Sequence, residues 1–219
     1  LKMKKKQKEI FLNSEGNCFF ERNHKEMQKV EFGLKDSVIR AISKCSDVKQ
    51  SQKKKLLEIG CGEGKRLHWI SENLNLQCFG IEPSEKAVAL ANSKGVKAIQ
   101  GTADLLNFEN NKFDFVIFGF CLYLCDTSDL FQIAKEADRV LKENGYVIIV
   151  DFHSNTYSKN KYHHAPGVFS HKMDYRKLFD WHPSYNCLYH EIGEHAKSGF
   201  TDNKNDWVAT SIIKKSLGE

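Results

Sequence analysis

Proline is scarce in this chain, three in 219 residues, and no stretch approaches the roughly 18 consecutive apolar residues that argue for a membrane span. No signal-peptide-like apolar run follows the lysine-rich N-terminus, so the expectation is a cytoplasmic protein with no membrane partner. Internal repeats are absent as well. Cysteine is present but unpaired in pattern. Seven cysteines cannot all pair with one another, and Cys61, Cys78, Cys121 and Cys125 lie in or beside apolar runs, the setting of reduced, buried thiols. Cys121 and Cys125 are separated by three residues and have no second pair to complete a zinc site, so no metal is expected.

A body-wide charge excess is also missing. The net charge of +5 is concentrated in the first eight residues, where Lys2, Lys4, Lys5, Lys6 and Lys8 stand without an acid. Without them the remaining 28 basic residues balance the 28 acidic ones. A neutral body argues against nucleic acid as a partner, and the lysine tail reads as a solvated end. At 219 residues the chain can bury a full core, and one globular domain is the expectation.

Along the chain, residues 11–23 read as irregular, and Leu34, Val38 and Ile42 predict one amphipathic helix over 26–45. From residue 56 strand and helix alternate. Strands are expected at 56–59, 77–81, 96–99, 113–118 and 146–150. Ser84 is suited to cap the helix carrying Ala87, Leu90 and Ala91. A helix with Leu130, Ile133, Ala134, Ala137 and Leu141 on one face should close at Gly145. Two late strands are expected near 186–191 and 207–213. Continuous apolar strands in a β-α-β-α order argue for an α/β fold, a parallel sheet covered on both faces.

The segment Leu56-Leu57-Glu58-Ile59-Gly60-Cys61-Gly62-Glu63-Gly64-Lys65-Arg66-Leu67 sets three glycines at a strand-to-helix turn. A phosphate loop would need Gly-Lys-Ser/Thr four residues after a first glycine, and Arg66 follows Lys65 instead. The dinucleotide fingerprint would need glycine at position 65. A nicotinamide dehydrogenase is disfavoured for that reason. The acidic residue followed by glycines resembles the first motif of the class I S-adenosylmethionine (SAM) dependent methyltransferases. Three further strand ends extend the resemblance across 56–151. Glu82, in Gly80-Ile81-Glu82-Pro83-Ser84, stands where a carboxylate can accept both ribose hydroxyls. Thr102-Ala103-Asp104-Leu105 resembles the family's adenine segment, and residues 113–126 resemble the strand that flanks the methionine moiety.

The resemblance implies a three-layer Rossmann-like fold with a mostly parallel seven-stranded sheet and an insertion after the fifth strand. It divides the chain into a tail and cap region, 1–45, and a methyltransferase domain, 46–219, with a substrate lid at 152–186. It implies SAM as cofactor, leaving as S-adenosylhomocysteine, on a site made of Glu58, Gly60, Cys61, Gly62, Gly64, Glu82, Pro83, Ala103, Asp104, Phe118 and Gly119, with Arg22 folded over it. His153, Tyr123 and Asp151, at the ends of the fourth and fifth strands, are the catalytic candidates, and His153 is favoured as base because its ordinary pKa lies near working pH.

The acceptor is read from the histidine-rich span after Asp151. Lys159, Lys161, Lys172, Arg176 and Lys177 face one acid, Asp174, and such a surplus concentrates anionic substrate. His163, His164, His171, Arg176 and Phe20 are the substrate-binding candidates. The N-terminal Cys18-Phe19-Phe20-Glu21-Arg22-Asn23 and the segment 164–179 resemble a branch of bacterial surface-polysaccharide and nucleotide-sugar pathways. The expected acceptor is then an oxygen of an anionic sugar, nucleotide-linked or phosphate-type small molecule, and the expected assembly a monomer or homodimer. The alternatives are a SAM-binding scaffold without activity and a methyltransferase for a neutral or nitrogen acceptor.

Overall fold

A computed structural model describes residues 6–45, 53–195 and 201–216. Its centre is a seven-stranded sheet in the order β3-β2-β1-β4-β5-β9-β8, formed by β1 (Lys55–Ile59), β2 (Gln77–Glu82), β3 (Lys97–Gln100), β4 (Phe113–Gly119), β5 (Leu141–Phe152), β8 (Tyr185–Glu194) and β9 (Trp207–Lys215). The first five strands pair in parallel, and β9 runs antiparallel to β5 and β8 on either side of it. A separate hairpin, β6 (Ser158–Lys161) with β7 (Phe169–Lys172), belongs to the insertion after β5.

Alternation along the central strands decides which helices cover which face. Leu56, Phe115, Ile117 and Ile148 point to the side packed by α3 (Ser37–Lys44), α4 (Lys65–Asn73) and α5 (Glu85–Ser93). Leu57, Val116, Phe118 and Val147 point the other way, against α6 (Leu130–Val140) and the turn carrying Leu178 and Phe179. Because both faces are buried, each central strand reads as a continuous apolar run. Each fully buried side chain stabilises by about 1.5–3 kcal/mol. As expected, Ser84 caps α5, accepting from the Ala87 N–H at 3.1 Å.

Three local expectations need correction. Residues 11–23 are helical: α1 (Gln7–Ile10) runs through a π turn, Phe11–Glu15, into α2 (Gly16–Gln28). Contacts with the domain stabilise this stretch. The single helix expected over 26–45 is divided, with α3 starting afresh where the Asp36 carboxylate accepts from Ile39 N at 2.9 Å. Finally, α6 ends at Val140 and β5 begins at once, so Gly145 is not its cap. Asn144 takes the positive φ of 62°, and Gly145 is needed because a Cβ there would lie 2.7 Å from Leu141 Cδ1.

The strand order reverses between β1 and β4. In an open parallel sheet, that crevice at the carboxyl ends is where ligands bind.

Candidate functional site

The glycine turn between β1 and α4 forms the floor of this crevice. Gly60, Gly62 and Gly64 all have positive φ, 74°, 53° and 69°. Gly60 and Gly64 are also constrained by close packing, since a Cβ on the first would meet Cys121 and on the second Ala91. Nothing lies within 4 Å of a Cβ placed on Gly62, which faces open space. Cys61 is buried, and burial pushes its thiol up, so it fills space beneath the turn.

Glu82 is drawn to this turn from the end of β2. One carboxylate oxygen accepts from Gly62 N at 3.0 Å and the other from Ser84 N at 3.0 Å. Burial pushes its pKa up to about 7, against the two backbone bonds that lower it. Pro83 follows and offers its carbonyl to Gln100.

Glu58 is buried at the end of β1 and ion-paired with Arg66 from α4, which also holds Asp36 at 3.1 Å. Its Oε2 is buried without a partner. Burial holds its pKa above the usual range. The expected acceptor at β1 is therefore half committed to Arg66 and half free. Gly119 passes over the pair, where a Cβ would lie 2.6 Å from Arg66 Nη1.

At the third strand end Ala103 is buried. Asp104 accepts from Thr102 Oγ1 at 2.8 Å and is ion-paired with Lys8. Lys8 belongs to the stretch read as a solvated tail, and that reading is corrected here. Lys6 Nζ bonds Asp129 at 2.5 Å. Gln7 is buried, with its side chain bonded to Leu124 O at 2.8 Å and to both backbone groups of Phe169, and its N–H bonded to Asp126. Residues 1–5 lie outside the described residues.

Helix α2 continues as a cover. Asn17 accepts from Ser84 Oγ at 2.8 Å at the end of β2, while His24 and Gln28 bond Glu63 in the glycine turn. Arg22, expected over the cofactor, is instead engaged by Glu15 at 2.5 Å and by Tyr162 at 2.9 Å. Phe20 lies along α2 against His24, ring centroids 5.0 Å apart. Phe118 is a second correction: it is fully buried on the α6 face near Phe179, so it supports the strand rather than lining the crevice.

The three catalytic candidates take separate positions. Asp151 is buried and accepts backbone N–H groups from Leu122 at 2.8 Å, Tyr123 at 3.4 Å and Phe152 at 2.8 Å. Burial raises its pKa to about 7. Burial foremost, then the Asp151 charge, pushes the Tyr123 hydroxyl well up, which keeps it protonated. His153 is buried beyond the end of β5, with Nε2 bonded to Asn155 Oδ1 at 3.2 Å and its ring beside His190 and Trp207. Between β4 and β5, Phe120, Tyr123, Phe152 and His195 form a connected aromatic cluster, with ring centroids 4.9–5.5 Å apart along the contacts. Phe120 has φ 60°, strained for an aromatic residue. Sequence reading missed the cluster because its members lie 75 residues apart.

The substrate candidates do not converge. His163 and His164 are exposed between β6 and β7. His164 lines a cleft of about 420 Å³ with Glu9, Asn13 and Pro166. His171 is buried and bonded to Tyr157 at 2.9 Å. Arg176 commits Nη2 to Asp174 at 2.9 Å, while its Nε is buried with no hydrogen-bond partner.

A model of the methyltransferase domain family matches residues 57–149. The chain is 32% identical over 108 residues to the uncharacterized methyltransferase YcgJ of Bacillus subtilis, covering 46% of this chain and 41% of that protein. It is 30% identical over 105 residues to the demethylmenaquinone methyltransferase of Lactococcus lactis, covering 44% and 41%. The chain thus spans about two fifths of the length of these curated relatives. The 1,6-didemethyltoxoflavin-N1-methyltransferase of Burkholderia thailandensis, solved with 1,6-didemethyltoxoflavin and S-adenosylhomocysteine, shares the fold at a TM-score of 0.68 and 12% identity, covering 95% of this chain and 88% of that one.

Proposed function

We propose that this protein is a SAM-dependent methyltransferase acting on a small molecule, a reading supported by the match of residues 57–149 to the methyltransferase domain family. The observation that carries the reading is the pairing of Gly62, open and at positive φ, with Glu82 bonded to its N–H. A nucleoside can approach the bare backbone there, and a carboxylate stands ready for its hydroxyls. The unpartnered Glu58 Oε2 suits an ammonium group, since a buried acceptor without a donor carries a penalty of about 1–3 kcal/mol. SAM, when bound, supplies an electrophilic methyl. The chain's residues align the acceptor in line and exclude water. Asp151 serves as a positioning residue, fixing the loop after β4 through its backbone bonds.

None of the three catalytic candidates is an accessible base, since Asp151 and His153 are both buried. Tyr123 stays protonated, Asp151 has both oxygens bonded to backbone N–H groups, and His153 faces His190 and Trp207. An acceptor that ionises on its own fits this best. The cluster of Phe120, Tyr123 and Phe152 favours a flat one, a hydroxyaromatic or an acidic ring nitrogen. The demethylmenaquinone and didemethyltoxoflavin enzymes are named for flat acceptors. A sugar-phosphate or nucleotide-sugar oxygen, in surface-polysaccharide synthesis, is the second reading. The exposed Lys159 and Lys161 favour it, although Arg176 is ion-paired with Asp174.

The test is calorimetric titration with SAM and S-adenosylhomocysteine, followed by product formation on hydroxyaromatics, heteroaromatics, sugar phosphates and nucleotide sugars. Binding of both cofactor forms with turnover on the aromatic set is expected. Turnover confined to sugar phosphates selects the second reading, binding without turnover on any acceptor leaves a scaffold, and no binding refutes the assignment.

A further inference from the structure

His153, Asp174 and His190 come from three places, the end of β5, the insertion and the strand β8, and meet in one cluster. One donor atom from each lies within 4.8 Å of the others. We propose that these three residues form a binding site for a zinc-class divalent metal ion, independent of the methyltransferase reading.

The hydrogen bonds around the cluster leave one ring nitrogen on each histidine, and a further lone pair on each Asp174 oxygen, for a ligand bond. Asn155 Oδ1 can only accept, so His153 carries its proton on Nε2 and keeps a lone pair on Nδ1. That Nδ1 is buried with no partner, on a residue only 3% exposed. His190 Nδ1 is engaged by Ser211 Oγ at 2.9 Å, which leaves Nε2. Asp174 is held by Arg176 through its N–H at 3.2 Å and Nη2 at 2.9 Å. Each ligand thus has an outer partner that fixes its orientation, the arrangement metal-binding histidines and carboxylates use.

Two imidazoles and a carboxylate suit zinc, with a fourth position for water. Around zinc the donors would stand about 3.3 Å apart, given bonds of about 2.0–2.1 Å. From separations of at most 4.8 Å the side chains need to close by no more than roughly 1.5 Å, within reach of small rotations. Arg176 is the adverse charge, and its bonds to Asp174 screen rather than block the site. The ion would tie the insertion to the edge of the sheet. His153, expected as a general base, would then be a ligand.

The probe is Co²⁺ titrated into the full chain after chelation and dialysis, read by visible absorption and by thermal unfolding, with no SAM present. The expected result is one equivalent bound, d–d bands without a thiolate charge-transfer band, and an unfolding midpoint raised by a few degrees. The spectrum separates this site from the seven cysteines. His190→Ala and Asp174→Asn, with native circular dichroism, should lose at least tenfold in affinity, while His182→Ala keeps it. Failure of the parent protein to take up one equivalent overturns the proposal, whatever the variants do. So does uptake dominated by thiolate bands, or uptake unchanged in both folded variants.

Discussion

Glu82 combines two demands that pull its proton in opposite directions. Burial raises its pKa to about 7, whereas ribose hydroxyls donate best to the ionised form. Cofactor affinity should therefore fall by about tenfold per pH unit below 7. Calorimetry between pH 5.5 and 8.5 checks this, and Glu82→Gln should flatten the profile. Loss of the carboxylate in Glu82→Ala should weaken SAM by about ten- to a hundredfold, since charge-assisted bonds contribute roughly 1.5–3 kcal/mol. Stability runs the other way. A carboxyl whose folded pKa lies above its unfolded one contributes fully below the unfolded value and loses that contribution as pH rises through 7. The same rise in pH that strengthens the grip on cofactor weakens the fold here. Arg66 presents a simpler case. Arg66→Met leaves the buried Glu58 without its counter-charge and should destabilise by about 3–5 kcal/mol in denaturant unfolding.

At the scale of elements, the N-terminal helices are the part that local pattern could not reveal. Gln7 bridges the loop after β4 and the strand β7 through three side-chain bonds. Gln7→Ala should cost about 1–3 kcal/mol and speed proteolysis within residues 7–28, read by limited digestion. Removing residues 1–8 would also release Asp104 and Asp129 from their lysines. Weakened SAM binding is now expected from that truncation, whereas a solvated tail would leave it unchanged. The strands β1 to β5 and the glycine turn were legible because buried parallel strands are apolar throughout and glycines at positive φ have few substitutes. Residues 11–23 were not legible. Their helix is stabilised by partners more than 60 positions away, Ser84 for Asn17 and Tyr162 for Arg22. Phe118 misled for a related reason: strand alternation, which turns it towards α6, shows only when the register is known.

For the whole molecule, the two cores share one sheet, so a cavity on either face should be felt globally. Phe115 is fully buried on the α3–α4 side and stacks on Tyr146 at 5.5 Å. Phe115→Ala should destabilise by about 3–5 kcal/mol, with fluorescence and far-ultraviolet circular dichroism falling together if the domain unfolds as one unit.

The place of β9 in the sheet also bears on how the chain emerges during synthesis. It pairs with β5 on one side and β8 on the other, yet it follows both in the chain. Until residues 207–215 leave the ribosome, β5 presents an open apolar edge and β8 has no strand to join. A nascent chain stalled before residue 207 would hold the glycine turn and Glu82 already made, but with a bare sheet edge of the kind that pairs wrongly with neighbours.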